Sequence, residues 1–381
     1  MADGAALLRL GRNDRAAATA RLRELSPDEL ALACQELRPE ARSEFLMLVD
    51  RPEDVVPLLA EAELVHTVRS GGMSEAAWLL ELATPEQRIA CFDLDCWNNG
   101  VELDLARVQE WIDALIEAGR ETLVKALTEI DLELTILSVR SEAEVHIVGK
   151  EDVPPVGFFT TDGVVYFGVA PDKSPHRVHE IAHALRDQAP ALYWQVVYGA
   201  LFESPLEMVE EALRWRQNRL TDLGFPEREQ AMRVYRPLRS EKVADWTAPA
   251  ATDALITAVS LPRQLRGSLL GEALAKLPAP QAGDILGYVL GVANSLAVAD
   301  GLSLSEPESV PRALEKAVRG IDVGLRELAR TRNQPPEQVL ERTAPLDLFR
   351  VAATSDASFR TPARIEERDD DEEPEAEPEH E

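Results

Sequence analysis

The chain has few aromatic residues, few cysteines and no long apolar run, and each shortage narrows the class of protein it can be. Aromatics are 5% of 381 residues while Ala and Leu dominate, a composition that favours helices over sheets. Cys34, Cys91 and Cys96 are odd in number and suggest no paired framework. They suit a reducing compartment, and the expected location is the cytoplasm. Cys91 and Cys96 have no second pair with which to complete a zinc knuckle, so all three read as small core residues. The N-terminal sequence has only a short apolar run and no small-residue cleavage site after it, so it is not a signal peptide. The most apolar stretch, Ile285 to Ala299, contains Asn294 and Ser295 and is too short to span a bilayer, so no membrane span is expected. Positive charge is scarce too. Forty Lys and Arg stand against 68 Asp and Glu, for a formal net charge of −28, which repels phosphate backbones and excludes non-specific nucleic-acid binding.

What is present reads as short helices around a real core, since 45% of residues are hydrophobic and the length allows one large or two to three modest domains. Ser26-Pro27-Asp28-Glu29 and Thr84-Pro85-Glu86-Gln87 are capping boxes with Pro at the first helical position, and Arg38-Pro39-Glu40 and Arg51-Pro52-Glu53 are looser versions. The spacing of Pro27, Pro39 and Pro52 predicts units of one three-turn helix and a tight turn. Such helices bury their apolar faces only by stacking, which predicts a small superhelical array. Two longer helices are expected over Leu105–Ala118, with Val108, Trp111, Ile112 and Leu115 inward, and over Glu121–Ser138.

From Val145 to Val169 the period shortens. Val145–Val148, Phe158–Thr161 and Val164–Phe167, the last two flanking Asp162-Gly163, predict a small antiparallel sheet with a hairpin. Helices resume after Ser174-Pro175, over about Ala191–Phe202, and after Ser204-Pro205-Leu206-Glu207, a full capping box ended by Gly224-Phe225-Pro226. A further helix covers about Glu227–Tyr235. The expected fold is mainly α: a helical-repeat domain over 1–140, a small β-sheet followed by helices over 141–240, a helical bundle over 241–354, and a disordered acidic tail over 355–381. Gly283, Gly287 and Gly291 on one stripe predict close backbone approach in the bundle. From Glu366 to Glu381, eleven acidic residues oppose one Arg, which predicts disorder.

Asp93-Leu94-Asp95-Cys96-Trp97 is one distinctive block, and Glu210-Glu211-Ala212-Leu213-Arg214-Trp215-Arg216, running on through Arg219-Leu220 to Leu223-Gly224-Phe225-Pro226, is another. Ala293-Asn294, Ala299-Asp300-Gly301 and Leu348-Phe349-Arg350 follow in order. Together they resemble an uncharacterised bacterial domain family of unknown function that covers the chain to about residue 352. By its Leu, Pro and Glu spacing, the N-terminal series also resembles the superhelical cytosolic domain of MgtE magnesium transporters and related motifs of the flagellar rotor protein FliG. Neither resemblance implies a catalytic residue.

Two constellations carry chemistry. In His179-Glu180-Ile181-Ala182-His183, two imidazoles four residues apart on a helix present to one ion, and the intervening Glu180 can act as general base on a zinc-bound water. Glu203, twenty residues past His183, is the expected third ligand of a gluzincin-like site. Against this, Val178, Ile181, Ala182 and Leu185 form the buried stripe, leaving His176, His179 and His183 on the flank where solvent normally lies. His176 and Arg177 precede the motif where zinc peptidases carry small or apolar residues. The second constellation is a basic island of seven Arg between Arg214 and Arg239, with Arg214, Arg216, Arg219, Arg233 and Arg236 as candidate contacts for an acidic partner or for the chain's own tail. In the bland alternative these are ion pairs on a helix surface, with Arg214 on Glu210 and Arg219 over Trp215.

The reading that takes in most of the sequence is a helical-repeat interaction or regulatory protein without catalysis and without a cofactor, partnered by another protein and of open oligomeric state. The alternative is a zinc-dependent metallopeptidase with His179, His183 and Glu203 as ligands and Glu180 as base.

Overall fold

Side-chain caps set where the N-terminal helices begin in the computed structural model, which describes residues 3–149, 153–170, 173–246 and 264–359. Asp3 and Asp14 accept from Ala6 N and Ala17 N to open α1 (Gly4–Asn13) and α2 (Arg15–Leu22). The predicted capping boxes are closed at Ser26/Glu29, before α3 (Pro27–Gln35), and at Thr84/Gln87, before a later helix. α4 (Pro39–Leu46) starts on its proline without a side-chain cap. The third proline unit departs from expectation. Pro52–Asp54 and Val56–Leu58 are two 3-10 turns rather than a three-turn helix, because Pro57 lacks an N–H and its ring clashes with the preceding turn. α5 (Glu61–Gly71), α6 (Trp78–Leu82) and α7 (Pro85–Asp95) complete this region.

The DLDCW block leads into a hairpin that sequence patterning missed: β1 (Trp97–Asn98) pairs antiparallel with β2 (Glu102–Leu103). Asn99 and Gly100 turn it with φ of 49° and 74°, and Asn-Gly is the pair that tolerates this conformation best. α8 (Leu105–Glu117) buries the four predicted residues. The expected single helix over 121–138 is instead two, α9 (Arg120–Glu129) and α10 (Leu132–Glu142). Ile130 is extended between them, and the Asp131 carboxylate is held by a distant arginine, so tertiary charge pairing overrides local helix continuity. The small sheet has the order β3 (Ala143–Ile147), β5 (Val165–Val169), β4 (Phe159–Thr160), all antiparallel, with Phe159 opposite Phe167. α11 (His176–Gln188), α12 (Pro190–Phe202) and α13 (Pro205–Asp222) follow. The capping box expected at Ser204 is not made, since that hydroxyl accepts nothing from the first turn. α14 (Arg228–Ala231) runs into a 3-10 turn ending at Tyr235.

The C-terminal helices are α15 (Leu269–Leu274), α16 (Ala279–Ala299), α17 (Ser309–Arg332), α18 (Pro336–Glu341) and α19 (Pro345–Ser355). Close approach does occur, but between α17 and α19. A Cβ on Gly324 would lie 1.9 Å from the Leu348 carbonyl oxygen, and one on Gly320 would lie 2.4 Å from the Phe349 ring. On α16, among the described residues, nothing lies within 4 Å of a Cβ on Gly283 or Gly291, so the expected close approach is not made at these two positions of the stripe. α16 is also longer than the apolar stretch it contains. By length and composition it could cross a membrane, but 44% of its apolar window is buried within the protein, and Asn294 donates to the Gly224 carbonyl at 3.0 Å.

Residues 355–359, expected in the tail, are instead packed through Phe359. α19 reaches Ser355, and Phe359 is buried with its ring 5.8 Å from Phe349. The predicted disorder from residue 360 onward, and docking of that tail on the arginines, lie outside the described residues. Buried apolar side chains form one continuous cluster from Leu7 to Phe359. All three cysteines are free and buried, and burial pushes the Cys34 thiol up to about 12.

Candidate functional site

The HEIAH segment lies on α11, where Val178, Ile181, Ala182 and Leu185 are buried as the helical projection requires. The His179 and His183 rings sit 4.3 Å apart between centroids. Both stand on the outer flank, with the His179 side chain 47% exposed and its ring 5.5 Å from Phe159. The Glu180 carboxylate lies 3.4 Å from Arg120 and 3.6 Å from His179 Nδ1. Glu203 is carried just past the end of α12, where its backbone carbonyl accepts from Arg140 at 2.6 Å. Among the described residues no group of three or more His, Cys, Asp or Glu side chains is placed to hold a metal ion. The structure therefore brings the two histidines and Glu180 together and leaves Glu203 apart, because the turn after α12 is fixed to α10.

The basic island divides. Arg214, Arg233 and Arg236 are exposed, and Arg214 pairs loosely with Glu211 at 3.8 Å rather than with Glu210. Arg216 and Arg219 are corrected from docking residues to internal ties. Arg216 is buried, donates to the carbonyls of Asp93 at 2.6 Å and Gly100 at 3.0 Å, and lies over the Trp97 ring. Burial pushes its pKa down to about 10 against the opposing charge of Asp93. Arg219 forks onto two carboxylates, Asp93 at 2.7 and 2.8 Å and Asp131 at 2.9 and 2.6 Å. Burial pushes the Asp93 carboxyl above its ordinary range, with the Arg219 contact opposing it. Burial would lower the Arg219 pKa, but the hydrogen bonds and charges of the two carboxylates raise it on balance. The spacing of these arginines showed positive charge but not its inward direction.

The other distinctive blocks are tied in the same way. Asp95 accepts from Trp111 Nε1 at 2.9 Å and pairs with Arg69 at 3.3 Å. Asp300 is buried against Lys316 at 2.7 Å and also accepts from the Tyr235 hydroxyl. Between these ties Trp97, Arg216, Leu220, Phe225 and Val298 line a cleft of about 60 Å³, room for a few waters and not for a peptide or nucleotide.

His66, which the sequence reading passed over, is buried on α5 and donates from Nε2 to the Leu304 carbonyl at 3.3 Å. Burial lowers its pKa below 6.5, although Glu63, the Leu304 carbonyl and Glu308 act to raise it and Arg42 adds to the lowering. The native ring thus stays neutral where the unfolded one takes a proton, and unfolding binds a proton as pH falls below about 6.5. Folding stability should therefore drop between about pH 7 and 5.5, by at most about 1.4 kcal/mol per pH unit from this group. Denaturation of His66→Gln alongside the parent checks this: the variant should show a shallower slope across that window, and an equal slope refutes the assignment.

A further feature is apolar and faces outward. Trp194, Tyr198 and Phe202, spaced four residues apart on α12, stack with centroids 5.6 and 6.2 Å apart and ring planes 30° and 21° apart. Tyr198 is 51% exposed and Phe202 77%, and Leu206 at the start of α13 is 69% exposed. The i, i+4, i+8 spacing was visible in the sequence. Nothing there distinguished an outward stripe from a core one.

Residues 19–368 match DUF6178, a family of unknown function. No curated protein and no solved structure matches the chain.

Proposed function

The chain belongs to the DUF6178 family, and we propose that it acts as a helical interaction or regulatory protein, without catalysis, binding another protein in a reducing, cytoplasmic setting. The observation that carries this reading is the stacked stripe on α12. In a chain with 5% aromatics, the exposed Tyr198 and Phe202 rings continue a stack that starts on the half-buried Trp194, and Leu206 is exposed nearby in the chain; aromatic side chains exposed in a patch mark protein contact surfaces. The use of the distinctive blocks as internal ties supports a scaffold in the same sense. Exposed Arg214, Arg233 and Arg236 remain candidate contacts for an acidic partner. A photo-crosslinking residue at position 198 tests the reading in cells: a discrete protein adduct is expected, and its loss on Phe202→Ser should follow. Adducts that are absent, or unchanged by that substitution, refute it.

A second reading, a zinc-dependent hydrolase, is favoured by the 4.3 Å approach of the His179 and His183 rings and weakened by the separate placement of Glu203. On the interaction reading, His179→Ala changes stability by well under about 1 kcal/mol, and metal analysis of the purified chain returns zinc far below one equivalent. About one equivalent retained through dialysis, with a chelator-sensitive melt, establishes the hydrolase reading instead. Glu180→Gln would then keep the metal and lose hydrolysis.

A further inference from the structure

We infer that the stripe on α12 receives an amphipathic helix bearing apolar residues one turn apart and flanked by lysine or arginine; this rests on the interaction reading and specifies its partner. Residues four apart on a helix are separated by about 6 Å along its axis, so Trp194, Tyr198 and Phe202 form a ridge of about 12 Å, half-buried at Trp194 and exposed at Tyr198 and Phe202, and the exposed Leu206 begins the next helix four residues on. A partner helix with anchors at i, i+3 or i+4, and i+7 repeats at the same interval, so its apolar face can pack along the ridge as one helix packs on another.

The charge preference comes from what borders the ridge. Glu203 follows Phe202 directly, and Glu207 follows Leu206, both exposed. Glu133 and Glu211 lie close enough to feel one another's charge. Burial raises the Glu133 pKa, and Asp131, Glu211 and Glu203 act in the same direction. Basic side chains near this border, among the described residues, include Arg140, bound to the Glu203 carbonyl, Arg214, near Glu211, and Arg186, close enough to act on Tyr193 beside Trp194. At the Phe202 end of the ridge the carboxylates of Glu203 and Glu207 are exposed and Glu133 and Glu211 lie within electrostatic reach, while Arg140 is occupied by a backbone carbonyl. That field attracts a cationic helix and repels an anionic one, including a second copy of this acidic chain and an anionic lipid surface.

The test uses the full-length chain and three fluorescein-labelled peptides at physiological salt. One places Leu at helical spacing among Lys, one has the same composition scrambled, and one replaces every Lys by Glu. The patterned Leu/Lys peptide is expected to bind at least about tenfold more tightly than either control. Phe202→Ser with Leu206→Ser should abolish that advantage, and Glu203→Lys with Glu207→Lys should reduce it and its salt sensitivity. Circular dichroism confirms that each variant is folded. If scrambled and patterned peptides bind alike, the contact is charge alone and the inference falls. If the Leu/Glu peptide binds best and responds to Phe202→Ser, the docking surface stands while the cationic partner is overturned. Concentration-dependent self-association lost in the Phe202/Leu206 variant would assign the ridge to a second copy and also overturn it.

Discussion

Arg219→Ala is expected to destabilise the folded chain by about 3 kcal/mol, the effect of removing one partner from a buried ion pair. Two carboxylates depend on this guanidinium, Asp93 with 7% and Asp131 with 11% of its side chain exposed. Their full Coulomb repulsion and desolvation reappear when it is removed. Arg219→Lys should fall between the two, because an ammonium cannot fork bidentately onto both. The pH dependence follows from the direction of the Asp93 shift. Burial already raises that pKa, and without Arg219 only the weaker pull of the Arg216 charge opposes it. The variant's native state then holds its proton to higher pH than its unfolded state does, so its stability falls as pH rises and recovers as pH is lowered. Denaturant titrations at about pH 7.5 and about 5.5 should show the defect shrinking in acid. A loss below about 1 kcal/mol at neutral pH would mean the pair behaves like an exposed one, and the description of an internal tie would be wrong.

The second large effect concerns glycine, and its sign depends on which helix is substituted. Gly324→Ala places a methyl 1.9 Å from the Leu348 carbonyl oxygen, 2.7 Å from its carbon and 3.0 Å from its Cα. All three are backbone atoms and cannot rotate away, so α17 and α19 must separate, at a cost of about 3 kcal/mol or more. Gly320→Ala meets the Phe349 ring instead, which can tilt, and should cost roughly half as much. Gly283→Ala on α16 meets nothing within 4 Å among the described residues and exchanges a poor helix former for the best one, so it should stabilise by up to about 1 kcal/mol. Thermal melts of the three variants decide the matter. If Gly283→Ala is as damaging as Gly324→Ala, a partner for the α16 stripe lies beyond the residues described.

Helix starts, the hairpin at Asp162-Gly163 and the buried stripe of α11 were legible because each is local chemistry: a cap within one turn, a turn dipeptide, a 3.6-residue period. The errors share a cause as well. Asp131 interrupts what reads as a continuous helix because Arg219, 88 residues away, requires its carboxylate there. Arg216 and Arg219 look like surface charge, since nothing near them in sequence foretells Asp93 or the Trp97 ring. Gly283 and Gly291 on α16 were read for close packing, yet among the described residues it is Gly320 and Gly324 on α17 that are closely approached, which depends on which helix lies opposite. For the site, the two histidines were placed together by helix period alone. The separation of Glu203 depended on Arg140, and the outward face of Tyr198 and Phe202 depended on which side of α12 meets α10 and α11.

The Asp93–Arg219 contact joins residues 126 apart in the chain, and this matters while the protein is being made. At about 5–20 residues per second of synthesis, Asp93 leaves the ribosome roughly 6–25 s before its partner does. During that interval the end of α7 carries a carboxylate with no cation to meet it, and Trp97 lacks the guanidinium that covers it. The nascent N-terminal helices therefore emerge with an open seam, closed only when α13 arrives. Slow codons placed between these two points would lengthen that exposure, whereas slow codons placed after α13 would not.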